Sequence, residues 1–233
     1  MKSELEKRFV TSILLFLLLI LCIFINWKIY LVSILLICFV AIAEIKNLIS
    51  LIEKTTSNKN WKKKWVPYRL ISISYIFLIF FIATGSLYAE GAVFVFYILL
   101  ICIFSDVGGY VIGKTIGGKK LTKISPNKTI SGSIGSFCFS VVPLLLFYNF
   151  DKFDYSYTFN NFLLCLELSL VCQVGDIFIS YIKRKAKIKD TGNFLPGHGG
   201  LLDRIDGIIF AIPYAWISVV GLKNFFDVVN VIF

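Results

Sequence analysis

Stretches of about 16 to 21 almost unbroken apolar residues recur along this chain, and they leave it few ways to fold. A helix needs ~20 such residues to cross the hydrocarbon of a bilayer, where every backbone polar group must be satisfied within the segment. Seven stretches are readable, at about 9–25, 29–45, 70–85, 91–107, 134–148, 162–182 and 207–222. A mean hydropathy of +0.82 with 58% hydrophobic residues excludes an ordinary soluble domain of 233 residues. The predicted fold class is all-α: a polytopic integral membrane helical bundle of about seven, at most nine, transmembrane helices. Such a bundle folds as one membrane domain over 1–233, with N-terminal spans in 1–105 and a motif-bearing half in 106–233.

The formal net charge of +10 would suit nucleic acid in a soluble protein, but here its distribution argues otherwise. Of the 24 Lys and Arg, 21 fall in four segments: the N-terminus, 46–69, 114–128 and 183–204. The other connections, at 26–28, 86–90 and 149–161, are short or acidic. Basic loops collect on the cytoplasmic side and face anionic headgroups. Alternation then puts all four basic segments, the N-terminus among them, inside and the C-terminus outside. The expected partner is the bilayer, with no nucleic acid. WKKKW at 61–65 reads as an interfacial anchor, with Trp at headgroup depth. The basic, apolar N-terminus has no small-x-small cleavage pattern and reads as a retained first span. All six cysteines lie inside apolar runs without a C-x-x-C pair, so inert thiols are expected.

Carboxylates in spans are costly, by ~2.5–3.5 kcal/mol on insertion scales, and need a partner, a proton or a task. Glu44, Asp106 and Asp176 all lie near the inner ends of their spans. Glu167, in an outer half, reads as a structural hydrogen-bonding group. A transporter would place such acids near the midplane; a one-sided cluster points to chemistry at the inner boundary. Asp176 and Ser180 are i and i+4 on a helix, with Lys183 a further turn along. Asp203 and Asp206 are i and i+3, so a helix starting near Gly200 would carry both on one face. Its free N–H groups would suit phosphate, and its carboxylates Mg²⁺.

A second constellation, FSDVGGYVIGKTIGGKKLTKISPNKTISGSIG at 104–135, combines glycines at 108, 109, 113, 117 and 118 with lysines at 114, 119, 120, 123 and 128. Glycine-rich backbone with Lys and Ser/Thr is a general recipe for a phosphate cradle, although G-x-x-x-x-G-K-[ST] does not occur. Residues 105–118 could re-enter the membrane or run along it.

The run SYIKRKAKIKDTGNFLPGHGGLLDRID, Ser180 to Asp206, resembles the signature of the phosphatidate cytidylyltransferase (CDP-diacylglycerol synthase) family. Gly175-Asp176 ahead of the serine, Lys183-Arg184, Lys189-Asp190, Pro-Gly-His-Gly-Gly and Asp203-Arg204-x-Asp206 are all present. Upstream, Asp106 with its glycines, Lys114, Ser125-Pro126 and Lys128-Thr129 are also similar to the family, and Glu44 loosely so. Ser131 stands where the family has a glutamate after Lys-Thr, and Ile179 where it has one before the serine.

The resemblance implies transfer of the cytidylyl group of CTP to phosphatidate, giving CDP-diacylglycerol and pyrophosphate for phospholipid biosynthesis. It implies a bacterial-type inner membrane, with the catalytic half in 106–233 acting at the cytoplasmic face. Phosphoryl-group transfer rests on positioning and charge stabilisation. The expected catalytic residues are Asp176, Asp203, Asp206, Lys183, Arg184, Asp190, His198 and Arg204. Ser125, Lys128, Thr129, Lys114, Ser180 and Lys189 are expected to bind substrate. Asp176, Asp203, Asp206 and Asp106 are expected to hold Mg²⁺, with a second, monovalent cation such as K⁺. His198 is expected to hydrogen-bond a phosphate or a carboxylate rather than act as a base, because phosphatidate is already ionised. A homodimer is a family inference. The competing readings are a cation- or proton-coupled transporter, another CTP-dependent lipid kinase or transferase, and a non-catalytic homologue. The CDP-alcohol phosphotransferase pattern D-G-x-x-A-R is absent.

Overall fold

The computed structural model describes residues 16–55, 61–147, 159–192, 194 and 199–221. Among them there is no strand. After helical residues 16–24 come α1 (Trp27–Thr55), α2 (Trp61–Thr115), α3 (Ile130–Ser140), α4 (Val142–Phe147), α5 (Phe159–Lys185), α6 (Leu202–Ile205) and α7 (Ile208–Ala215). A π-helical turn, Trp216–Gly221, extends α7 past Pro213. Among the described residues, four helical stretches are long and apolar enough to cross a membrane: Trp27–Lys54, Val66–Thr115, Ile130–Phe147 and Phe159–Lys185. The chain is an integral membrane protein with an all-helical fold. The start of the expected first span and most of the connection at 149–161 lie outside the described residues.

The breaks have local causes. At 55 residues α2 would be about 80 Å long, far more than a bilayer needs. Gly91 interrupts it with φ 86° and ψ 174°, a conformation open to glycine and strained for other residues. The expected loop at 86–90 is therefore helix, and one residue separates the two segments. Residues 105–115 continue as helix to the end of α2. Between α3 and α4 the helix falters at Val141, where Pro143 has no N–H to offer and its ring crowds the carbonyl of Phe139. α5 closes on a Schellman motif: Ile188 N–H donates to Lys183 O (3.1 Å) and Lys187 N–H to Arg184 O (3.1 Å), with Lys187 left-handed at φ 57°.

The chain divides into two compact units. One holds the chain up to Phe96 with Tyr181–Ile205; the other holds Tyr97–Ser180 with the chain from Asp206. In the first, Leu48, Ile49, Ile52, Ile76 and Ala83 form the core. There the Tyr30 hydroxyl donates to Ala83 O (3.1 Å), and Arg69 pairs with Glu53 (2.7 Å). In the second, Tyr97, Ile101, Cys102, Cys165, Leu168 and Cys172 are buried. Ser105 and Ser169 hydroxyls meet at 2.8 Å, and Gln173 accepts from Ser133 and donates to Ser169 (3.3 Å). Such bonds hold spans together where lipid supplies no hydrophobic drive. Glu167 is hydrogen-bonded by Tyr214, the structural part expected of it. All six cysteines are free; Cys138 is exposed and Cys22 and Cys38 are half-buried.

Candidate active site

In the first unit the end of the signature is built around Asp203. Oδ1 accepts from Lys183 Nζ at 2.7 Å. Oδ2 accepts from Thr191 N (2.7 Å), Thr191 Oγ1 (3.1 Å) and Gly200 N (3.1 Å). The Asp203-to-Gly200 contact is the backward reach of a capping box, made by an aspartate three residues into the turn. Burial pushes this carboxyl up, but the Lys183 ammonium and the N–H groups of Thr191 and Gly200 outweigh it, so Asp203 lies below the usual carboxylate range.

Glu44, from α1, completes the arrangement. Its Oε2 accepts from Thr191 Oγ1 (2.8 Å) and Leu202 N (2.8 Å), and its Oε1 from Leu201 N (2.9 Å). The side chain is buried, and these three donors offset the desolvation of its charge. The free N–H groups expected at this helix start are therefore taken: Gly200 serves Asp203, and Leu201 and Leu202 serve Glu44. Two internal carboxylates sit where an anion was expected. The helix itself is a single turn, Leu202–Ile205, and Asp206 lies beyond it. A Cβ on Gly199, whose φ is 84°, would lie 3.2 Å from Asp190 Cβ and 3.3 Å from Asp203 Oδ2, a tight fit on a backbone that favours glycine. Lys189, Asp190, Arg184 and Arg204 are exposed, with Arg184 reaching Ile188 O at 3.4 Å. His198 lies outside the described residues.

The second unit holds the other constellation. Ser125-Pro126-Asn127-Lys128 is a β-turn closed by Lys128 N–H to Ser125 O (3.1 Å), with Pro126 presetting φ at the second position. Thr129 then caps α3, its Oγ1 accepting from Gly132 N (3.0 Å). Leu121 N–H to Lys128 O (2.8 Å) and Ile130 N–H to Lys119 O (3.0 Å) tie the lysine-rich loop into a compact hairpin. The sequence Ser-Pro-x-Lys-Thr thus makes a turn and a cap in succession, and the lysine between them pairs with Asp176 Oδ2. Ser180 Oγ stands 3.4 Å from Asp176 Oδ1. Lys114 is exposed beside Tyr110, its Nζ 3.3 Å from the phenol oxygen.

Gly108, Gly109 and Gly113 serve helix packing, whereas Gly117 and Gly118, at φ 65° and 108°, have open space around them. A Cβ on Gly108 would lie 2.5 Å from Gly135 O, one on Gly135 2.5 Å from Ile112 Cβ, and one on Gly132 2.7 Å from Gly109 O. α2 and α3 meet there backbone to backbone, as small residues in membrane helices allow. Gly175 and Gly207 do the same for α5 against the start of α7. A Cβ on Gly175 would come within 2.9 Å of Asp206 O, so the residue preceding Asp176 abuts Asp206. Asp106 is exposed on α2. Ser131, in place of the family glutamate, donates to Gly117 O and touches Thr129 Oγ1 (3.0 Å), pinning the hairpin to the cap. Ile179 is buried.

Among the described residues no three His, Cys, Asp or Glu side chains gather as an all-protein metal cage. That suits a divalent ion arriving on a polyphosphate, since Mg²⁺ is typically held by one or two carboxylates plus phosphate oxygens and water. Asp176 fits that need best, because its Oδ1 has only the long contact to Ser180. Asp203 has both oxygens engaged. Thr191 was not anticipated as a site component. For Thr191 the available signal was its place directly after Lys189-Asp190.

Long apolar helices with lysine-paired aspartates beside turn-and-cap motifs define a membrane protein equipped for phosphorylated ligands. The chain matches the sequence profile of the Cytidylyltransferase family over residues 3–221, and it belongs to that family. It is 38% identical over 187 residues to the phosphatidate cytidylyltransferase of Staphylococcus aureus (strain COL), covering 75% of this chain and 69% of that one. The Bacillus subtilis (strain 168) phosphatidate cytidylyltransferase is 37% identical over 138 residues, 59% and 51% of the two chains. That of Rickettsia bellii (strain RML369-C) is 46% identical over 114 residues, 46% and 49%. The family resemblance carried by Ser180–Asp206 is thereby borne out, and the chain is a nucleotidyltransferase.

Proposed function

We propose that this protein transfers the cytidylyl group of CTP to phosphatidate, giving CDP-diacylglycerol and pyrophosphate. Family membership over nearly the whole chain carries the reading. The paired Lys128–Asp176 and Lys183–Asp203 supply the charge such a reaction handles. An oxygen of the phosphatidate phosphate attacks the α-phosphorus of CTP, and pyrophosphate leaves. The attacking oxygen is already ionised at neutral pH, so no general base is needed. Lys128 and Lys183 release their carboxylate partners to neutralise phosphate oxygens. Arg184, Lys189 and Arg204, all exposed, add positive charge, while Ser125, Thr129, Lys114 and Ser180 orient the triphosphate and headgroup. His198 hydrogen-bonds a phosphate or carboxylate, and Asp190 orients neighbouring bases.

A monovalent cation such as K⁺ is proposed as a second cofactor, and magnesium would be held by Asp176 together with phosphate oxygens and water. When bound, it supplies charge neutralisation on the phosphates. Asp203 would add a carboxylate to cation binding only where Lys183 leaves its Oδ1. The site faces the cytoplasm of a bacterial-type inner membrane, with about seven spans, the N-terminus inside, and a homodimer as the assembled form.

The test is purified protein in lipid with labelled CTP, phosphatidate and Mg²⁺. A CDP-lipid and pyrophosphate in equal amounts are expected, and Asp176→Asn should abolish both while the protein remains folded. Folded, metal-supplied protein that forms neither product would refute the reading.

A further inference from the structure

The buried carboxylate of Glu44 belongs to none of the segments that carry the signature. It comes from α1, 147 residues before its partner Thr191, and is held by three donors that all lie in 191–202. Thr191 stands between two acids: its single hydroxyl is 2.8 Å from Glu44 Oε2 and 3.1 Å from Asp203 Oδ2. One hydroxyl has one hydrogen, so it donates to one carboxylate at a time, and the shorter contact favours Glu44. Its backbone N–H meanwhile points at Asp203 Oδ2 at 2.7 Å. The same backbone stretch that donates to Glu44 through Leu201 and Leu202 donates to Asp203 through Gly200. Moving Glu44 would therefore shift both sides of the cradle in which Asp203 sits.

We infer that Glu44, acting through Thr191 and the amides of Leu201 and Leu202, is a positioning residue that aims the Asp203–Lys183 pair. Neither Glu44 nor Thr191 touches substrate in this reading; they fix the direction of Asp203 Oδ1, and with it the Lys183 ammonium. Gly192 and Gly200 fit the assignment. A Cβ on Gly200 would lie 2.0 Å from Thr191 Oγ1 and 2.7 Å from Glu44 Oε2, and one on Gly192 2.9 Å from Glu44 Oε1. The backbone is thus kept bare where the carboxylate must come in. Partners that orient a reacting carboxylate without contacting substrate typically change activity by about 10–100-fold when removed.

The inference rests on the proposed cytidylyl transfer for its kinetic arm only. Four full-chain variants in lipid are compared with the parent: Thr191→Val, Thr191→Ser, Glu44→Gln and Glu44→Asp. Val keeps the shape of Thr without the hydroxyl, and Gln turns an amide donor toward N–H groups that need an acceptor. Thr191→Val and Glu44→Gln should lower kcat about 10–100-fold, with KM for CTP changed less than about three-fold, as expected for groups that do not bind substrate. Thr191→Ser should keep at least about a third of parent kcat, and Glu44→Asp, with its shorter reach, an intermediate value. Independently, hydrogen exchange at the amides of 191 and 200–202 should quicken in Thr191→Val and Glu44→Gln but not in Thr191→Ser. If the parent is inactive, the transfer reading falls and the exchange arm still decides the inference. Unchanged exchange in both variants overturns it. So does kcat within about two-fold of parent in both, or a loss that Thr191→Ser shares in full.

Discussion

Lys183 Nζ lies 2.7 Å from Asp203 Oδ1, and the two side chains are only 12% and 7% exposed. A pair this sheltered is asymmetric. Forming it gains little net energy, because both charges were desolvated, but removing one member strands the other. Lys183→Met should destabilise the protein by about 3 kcal/mol. The double variant Lys183→Met/Asp203→Asn should be less destabilised than the sum of the two singles, by at least about 1 kcal/mol. Melting of all three in one detergent checks this, and additive losses would contradict it.

The same carboxyl sets an acid limit. Asp203 is held below its ordinary value in the folded protein, so its contribution to stability is fully present above the unfolded value of about 3.9. That contribution is lost as pH falls through the lower folded value. The gap in melting temperature between the parent and Asp203→Asn should hold steady from pH 7 to about 5 and narrow below about 4. A gap that widens in acid would mean the opposite sign.

Lys128 and Asp176 make a different kind of pair. Each side chain is 26% exposed, so solvent screens much of the attraction. Lys128→Ala should change stability by less than about 1 kcal/mol. Turnover should nevertheless fall by about 10²–10³, the usual loss when one charge-stabilising donor is removed. Steady-state rates set beside melting curves separate the two effects; matched losses in both would make Lys128 a structural residue.

The α2–α3 contact should tolerate no side chain. Gly135→Ala would push Cβ to 2.5 Å from Ile112 Cβ and 2.7 Å from Gly108 O, and should destabilise by about 1–3 kcal/mol. Gly117 offers the contrast: at φ 65°, a Cβ there would meet nothing within 4 Å, so only its backbone conformation resists substitution. Asn, which enters the left-handed region readily, should be accepted at 117 and rejected at 135. Folded yield of the four Ala and Asn variants checks the ranking.

Much of this was legible along the chain. Apolar runs forecast the helices, because the backbone in lipid has little alternative. The break at Val141 was not legible: 134–148 reads as one unbroken span, and only the helix ends place Pro143 after a break. The signature from Ser180 to Asp206 pointed to the family through its own residues. Less legible was how its groups are spent. The glycines at 108, 109 and 113 look alike whether they admit a phosphate or another helix, and only the facing Gly132 and Gly135 decide it. The amides at 200–202 look free in sequence, since nothing local shows that Glu44 arrives from α1 to accept from two of them.

The sequence by itself determined that the chain lies in a membrane as helices, and which polar residues must find partners there. Burial forces both results, and burial can be read from composition and period. Tertiary structure decided the pairings: Glu44 with Thr191, Lys183 with Asp203, Lys128 with Asp176. A hydrogen bond or ion pair depends on distances of about 3 Å in space, and residues 147 positions apart carry no local pattern that sets such a distance.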